Sequence, residues 1–490
     1  MTFSEPQLSQ LPPNTFLKNE DGAATPFAIF IFCIFVAVGG LAVDFNKAVS
    51  ERTQMQLATD TAAHAAAYTW EFQDIDTSTT TALETINGML PDVAYRNALL
   101  ADDIEYGFWD PALLTFTVDP TFVEDKDDPL RSAVRARAQL EEARSNQSRN
   151  ILLSIIGQDK FSISTETVYI AYYPPCFTEG FVADAVVNMQ SNGIYTDNFC
   201  MHSNTYVTLN QNNYFEGGTV VSMPSLADLD IPNSGFEQNE GLQAALRQGA
   251  YRLRILAQMP KMYASLRRGE HKYAEMAGLT EDVTTLYPID YSTTGNQGLT
   301  EEEIQAAITA MDSTGDSSLM DALPRMNGND TGKKTMTPMH FAPRNRIFRA
   351  ECTGNGDITM TAGHYKDFVL VTDCPINFSN GVILDGVVIA TEADVTGSHV
   401  QIGMDDNCTL GGNASVWTMG SFQVASGMEG YGAQILAWGD VDFTANPDSL
   451  EGISVIAYGE IDGTSGGAVG YCDGEGLEDF ATVRYFRMVK

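Results

Sequence analysis

Residues 23–43 read AATPFAIFIFCIFVAVGGLAV, 21 positions without a carboxylate, amine or guanidinium. At about 1.5 Å per residue, a helix of that length crosses a bilayer core. A cleaved secretory leader would have a shorter apolar centre and a more basic approach than the lone Lys18, and helix-forming sequence continues where a cleavage site would fall. The pattern predicts a retained transmembrane helix with residues 1–22 as a cytoplasmic tail. Residues 44–68 (DFNKAVSERTQMQLATDTAAHAAAY) contain no Gly or Pro and much Ala, Gln, Met and Leu, so the helix is expected to continue as an Ala-rich rod over 44–75.

The period then changes. Residues 82–100 are expected to be helical, and 104–118 (IEYGFWDPALLTFTV) form two extended runs about Trp109, Asp110 and Pro111. Residues 119–128 make an acidic loop. Residues 132–140 (SAVRARAQL) alternate as a strand does, although their composition would also suit a helix, 151–157 look like a short buried helix, and 161–173 are β-rich. These elements predict a small α/β unit over 76–173.

From 174–236, and again over 348–475, short apolar runs alternate with Gly, Asn, Asp and Ser turns. Trp417, Leu436 and Ile456 are 19 and 20 residues apart, and Phe422, Val441 and Ile461 repeat those intervals. Two strands per repeat of about 20 residues fit coils of a parallel β-helix, each stacking its inward residues on the next. An antiparallel sandwich is the competing arrangement. Between the two stretches, 237–347 is a helical insertion and linker, in which 241–277 is expected to be a long helix or a helix pair broken at Pro260. Residues 476–490 are left as a C-terminal tail.

A net charge of −36 and a pI near 4.3 oppose attraction to nucleic acid or to an anionic membrane surface. Against that background seven basic residues fall within 26 positions: Arg247, Arg252, Arg254, Lys261, Arg267, Arg268 and Lys272. They are candidates for docking an acidic partner, for a contact with the β-helix itself, or for a solvated helix face.

Cysteine usage bears on the compartment. Cys33 lies in the apolar run, and six others (Cys176, Cys200, Cys352, Cys374, Cys408, Cys472) are dispersed without CxxC spacing. An even number of this kind fits disulfides in an oxidising compartment. Residues one coil apart would lie about 4.8 Å apart, within disulfide reach. Cys176 with Cys200 and Cys352 with Cys374 would each staple adjacent coils, leaving Cys408 with Cys472 by elimination. The body is therefore expected outside the cytoplasm, although Lys18 before the span against Lys47 and Arg52 after it leans weakly the other way.

Sites of chemistry are sparse. Asp312, Thr314 and Asp316 occupy the first, third and fifth places of an EF-hand-like loop, but Ser317 replaces its turn Gly and Leu323 its final Glu. The same segment lacks the DxSxS metal motif of von Willebrand A domains. Residues 328–335 (GNDTGKKT) miss the P-loop spacing by one residue and follow no apolar strand. His64, His202, His271, His340, His364 and His399 are scattered, and there is no nucleophile-elbow turn. Asp405, Asp406, Asp440 and Asp442 are the carboxylates a polysaccharide-active β-helix would use, yet aspartates at coil turns are usually turn residues. No catalytic, metal-binding or cofactor-binding residue is expected.

Several short pieces in fixed order resemble one family. These are Asp21-Gly22-Ala23 opening the span, Gly40-Leu41-Ala42-Val43-Asp44 closing it, the Ala-rich segment 56–67, Tyr106-Gly107-Phe108-Trp109-Asp110, and the strand at Ala133-Val134-Arg135. Over about residues 20–173 they resemble the N-terminal region of the TadG-like (TadE/TadG) proteins of Tad, or Flp, pilus assembly. The resemblance implies a bitopic inner-membrane protein with a periplasmic body, α+β in class, with a small pilin-like α/β unit followed by the β-helix domain. Its implied partners are the inner membrane and the Tad pilus machinery or other envelope proteins, in a non-catalytic accessory role. Prepilin substrates usually carry Glu at the fifth residue after the cleaved Gly, where this chain has Phe27, so permanent anchoring is expected. More loosely, Cys200-Met201-His202-Ser203-Asn204 is similar to the Asn/Gly/Ser-rich repeats around a cysteine in many such proteins. An extracytoplasmic polysaccharide-active enzyme and a cell-surface adhesin are the alternatives from other classes.

Overall fold

In a computed structural model of the chain, the apolar run and the Ala-rich segment form one unbroken helix, α1, Ala24–Trp70. The structure describes residues 24–71, 73–91, 93–118, 133–196, 198–268, 286–288, 334–341, 345–352, 356–404, 414–464, 466–470, 472 and 483–490. The expected cytoplasmic tail and the acidic loop 119–128 lie outside them. The chain divides into two units, one ending at Tyr172 but regaining Arg484–Lys490, the other Tyr173–Val483.

In the first unit the soluble half of α1 lies on an antiparallel sheet. Its strand order is Thr115–Val118, Ile104–Asp110, Ala133–Leu140, Ile163–Tyr172, Tyr485–Met488. The last strand comes from the segment left as a tail in the sequence. Ala58, Ala62, Ala63 and Ala66 of α1 are fully buried with Val134, Ala136 and Ala138 of the sheet, so small side chains on both sides let the helix axis approach the strands closely. Polar bonds set the register of helix on sheet: Thr59 Oγ1 lies 2.7 Å from Thr165 Oγ1, and Gln56 Nε2 donates to Thr167 Oγ1 at 2.9 Å.

A second helix, α2, spans Ile75–Met89 rather than the expected 82–100. It starts where Asp74 caps it, accepting the Thr77 N–H at 2.7 Å, and ends before Pro91. Residues 151–157 are not a buried helix either. Only the turn Leu153–Ile156 is helical, of the 3₁₀ kind, and only Leu153 of it is buried.

The second unit is a parallel β-solenoid of about ten turns. One inward column reads Phe348, Leu370, Ile389, Val416, Ile435, Val455, Phe181, Met201, Val221, Leu246, each paired with the next. The stack thus runs in chain order from the strands 286–288 and 334–336 to the coil at 450–470, and the coil 180–195 then stacks upon that one. Two segments that looked separate in sequence form one continuous pile, with the chain entering it in the middle.

The counted period is real and splits between two faces. Phe422, Val441 and Ile461 are register partners and core residues. Trp417, Leu436 and Ile456 are also register partners, but they neighbour the inward Val416, Ile435 and Val455 and so point to the opposite face of their sheet. The expectation that both triplets point inward fails for this one. Its residues are nonetheless buried.

Helix α3, Arg254–Arg268, runs along that outer face. Tyr251 accepts at its carbonyl from Asn204 Nδ2 (2.6 Å), Trp438 Nε1 donates to the Leu256 carbonyl (2.9 Å), Tyr263 Oη donates to the Thr372 carbonyl (2.8 Å), and Arg267 pairs with Glu351 (2.9 Å). Seven coil steps separate Asn204 from Glu351, about 34 Å at 4.8 Å each. Three extended and thirteen helical residues reach about 30 Å, so the segment is a return strap that carries the chain back to the far end of the stack. The expected break at Pro260 is absent, because the carbonyl that proline leaves without an amide donor, that of Leu256, is taken by Trp438.

Candidate functional site

Two regions carry features that a function could use: the joint where α1 leaves its apolar run, and the outer faces of the solenoid.

At the joint, Asp44 is the first charged residue after the apolar run, and it is buried. Its carboxylate accepts the backbone N–H groups of Ile151 (2.8 Å), Leu152 (2.9 Å) and Leu153 (2.7 Å). One turn further on, Lys47 Nζ donates to the Arg149 carbonyl (2.7 Å) and to Ser148 Oγ (3.3 Å), and pairs with Glu51 (3.2 Å). Gly40 is buried against the same loop, where a Cβ would fall 2.8 Å from Leu153 Cδ2. Sequence reasoning missed this clasp. The sequence carries little signal for it, since a charge at the end of an apolar run is ordinary at a membrane boundary.

On the solenoid, an outward column of one sheet reads Thr359, Asn377, Thr396, Gln423, Asp442, Asp462, Asn188, Thr208. It presents hydrogen-bonding groups at the coil spacing. Burial first, then the neighbouring Asp462 and Asp440 carboxylates, push Asp442 above the usual carboxylate range. Asp440 accepts the Glu460 N–H of the next coil at 2.8 Å, and Asp394 accepts that of Ser421 at 2.8 Å, so both hold turns. Gly439 and Gly459 permit that stacking, since a Cβ on Gly459 would fall 2.6 Å from the Gly439 backbone. Asp405 and Asp406 lie outside the described residues. A buried asparagine ladder, unforeseen from sequence, does similar work: Asn213 Oδ1 accepts the Gly193 N–H (2.9 Å) and Asn239 Oδ1 accepts the Asn213 N–H (3.2 Å).

The cysteines fall as the coil spacing predicts. Cys176–Cys200 and Cys352–Cys374 are disulfides with Cα separations of 4.8 and 5.3 Å, each joining consecutive coils. Cys472 is also disulfide-bonded, and Cys408, its expected partner, lies outside the described residues. Cys33 is a free thiol.

Most of the described basic residues of this group fall on or beside α3. Arg247 is on the strand Leu246–Gln248 and donates to the Ala244 and Leu246 carbonyls, Arg252 precedes α3, and Arg254, Lys261, Arg267 and Arg268 belong to α3. Arg267 is bound to Glu351, and Lys261 is exposed. Lys272 lies outside the described residues, as do the EF-hand-like segment and residues 328–333.

His202 is buried between Ser222 Oγ (2.7 Å) and Asn204 Oδ1 (2.9 Å), with burial holding its imidazole below the usual range. His364 meets Asp385 (2.8 Å), His399 meets Glu429 (3.6 Å), and His64 packs on Tyr169. Among the described residues no three His, Cys, Asp or Glu gather as metal ligands.

These observations define a β-solenoid protein whose N-terminal apolar helix fits a single-pass membrane anchor. A family model described as "Domain of unknown function (DUF7867)" matches residues 180–315 and 289–473, more than half of the chain, and the chain belongs to that family. Residues 22–69 match a second model, "Putative Flp pilus-assembly TadE/G-like", and are a domain of that type. This is the resemblance the N-terminal residues carried, although the match ends at 69 rather than near 173. It supports a pilus-assembly role, in association with a membrane and with pilus machinery. No curated protein and no solved structure matches the chain.

Proposed function

We propose that the protein is a non-catalytic scaffold of Tad (Flp) pilus assembly, anchored in the inner membrane by α1 with both folded units in the periplasm. The observation that carries this is the coincidence of the TadE/G-like match at 22–69 with α1, whose apolar half is exposed and whose polar half is bolted to a folded sheet. Such a helix transmits position between a membrane and a body. The coil-stapling disulfides favour an oxidising compartment for that body.

The absence of catalysis is part of the proposal, supported by the structural use of two carboxylates on the solenoid. Asp440 holds a turn, and Asp462 accepts from Asn188 (3.3 Å) and Gln190 (3.2 Å). The test is deletion of the gene with counting of surface pili by electron microscopy. Pili are expected to be lost and to return with either the native chain or an Asp440→Asn/Asp442→Asn variant. Normal piliation in the deletion strain would overturn the assembly role, and rescue by the native chain alone, with glycan depolymerisation by the soluble body, would overturn the non-catalytic one.

A further inference from the structure

The loop clasped by Asp44 exposes three large apolar side chains: Ile151 is 60%, Ile155 67% and Ile156 52% exposed. Nothing in the fold requires this. A short loop on a soluble surface would be satisfied by polar residues there, and three isoleucines of one loop left in water are a cost that an interaction normally offsets.

Their position identifies the occupant. Leu152 and Leu153, within the same turn, lie against Gly39 and Gly40 of α1, where Cβ atoms would come within 4.0 and 2.8 Å of their side chains. Gly40 lies four residues inside the apolar run from Asp44, about 6 Å along the helix. The loop therefore reaches down beside the span to a depth that the span itself assigns to the bilayer boundary, and its isoleucines continue the apolar surface of α1, where Phe35, Val38, Leu41 and Val43 are exposed. At the base of the loop Arg149 and Lys160 are register partners in a short antiparallel pair, and both are exposed. Asp159 directly precedes Lys160, and Lys47 is held from the other side by the Arg149 carbonyl. In a chain of net charge −36, cations just above an apolar tip match the headgroup layer over an acyl boundary.

We infer that residues 150–157 are a membrane foot: Ile151, Ile155 and Ile156 enter the leaflet on the body's side, with Arg149 and Lys160 at headgroup level. The Asp44 clasp holds the foot on α1, so that anchor and foot together set the depth and tilt at which the first unit stands on the bilayer. This deepens the anchoring role proposed above and rests on α1 crossing the membrane.

The test uses the full chain with Cys33→Ser, carrying a nitroxide on Ile155→Cys and reconstituted in phosphatidylethanolamine–phosphatidylglycerol vesicles. Parallel labels sit on Phe30→Cys in the apolar run and on Leu114→Cys, 67% exposed on the hairpin at the other end of the sheet. Collision with oxygen, which partitions into lipid, is compared with collision with an aqueous nickel chelate. The oxygen-to-nickel ratio at Ile155 is expected to be several-fold above that at Leu114, and a label on Ile156→Cys is expected to agree. A ratio at both isoleucine positions equal to that at Leu114, with Phe30 reading lipid, overturns the foot and leaves the anchor standing. Phe30 reading water overturns the anchor, and the foot with it.

Discussion

Trp438 donates its indole N–H to the carbonyl of Leu256 at 2.9 Å, and Leu256 is the residue four positions before Pro260. The bond crosses from the solenoid to the strap and supplies the donor that proline withholds from α3. Trp438→Phe keeps an aromatic ring, though a smaller one, and removes the donor, so it is expected to cost about 1 kcal/mol in denaturant unfolding of the second unit. In a Pro260→Ala background the helix can supply its own donor, and the same change is expected to cost close to nothing. Equal costs in both backgrounds would contradict the pairing.

Leu436 should be as costly to truncate as its neighbour Ile435, although the two point to opposite faces of one sheet. Both are buried, Ile435 in the solenoid core and Leu436 on the face along which α3 runs. Leu436→Ala and Ile435→Ala are each expected to lose about 2–5 kcal/mol. An open outer face would give Leu436→Ala a loss within about 0.5 kcal/mol.

The two stapled coils predict a covalent contribution. Removing Cys352–Cys374 by a double Ser substitution releases a loop of 22 residues and is expected to cost about 3 kcal/mol in equilibrium unfolding. The solenoid fold, held by its stacked columns, is expected to survive, with its circular dichroism spectrum unchanged.

Asp442 sets a pH dependence. Its carboxyl titrates higher in the fold than in the open chain, so the folded state binds that proton more tightly. Ionisation therefore costs stability above the folded pKa and costs nothing once pH falls below the ordinary carboxylate value. Asp442→Asn is expected to stabilise the protein at pH 7 by up to about 0.5 kcal/mol, a gain that fades on acidification through the carboxylate range. A constant gain at every pH would mean that charge is not its cause.

The joint makes its own prediction. Asp44→Ala strips the acceptor from three amides, and amide hydrogen exchange at Ile151, Leu152 and Leu153 is expected to accelerate by about tenfold or more, equivalent to at least about 1.4 kcal/mol of lost protection. Unchanged exchange would show that the loop holds itself.

The legible parts of this chain were those written in one dimension. The apolar run, the Ala-rich rod, the strand 133–140 and the intervals of 19 and 20 residues each reflect a local period, and two disulfides followed from coil spacing alone. What sequence could not supply was closure in space. Nothing local says that the coil 180–195 stacks upon 450–470, or that Tyr485–Met488 returns to pair with Ile163–Tyr172. Pro260 was expected to break a helix because its repair comes from Trp438, 178 residues away in sequence. Burial of Trp417, Leu436 and Ile456 was foreseen, but on the wrong face, since period fixes the stacking and not the side from which it is covered. In sequence Asp44 reads only as the end of a span, since its partners lie more than 100 residues on.

The central claim, a sulfur-bridged solenoid held outside the cytoplasm by α1, is tested most directly by thiol trapping in intact cells. Cells are alkylated before lysis, and peptides of the membrane-bound protein are then weighed without reduction. The account predicts the linked pairs Cys176–Cys200 and Cys352–Cys374, with Cys33 recovered as a free or alkylated thiol. Recovery of Cys176, Cys200, Cys352 and Cys374 all as alkylated single peptides would contradict it.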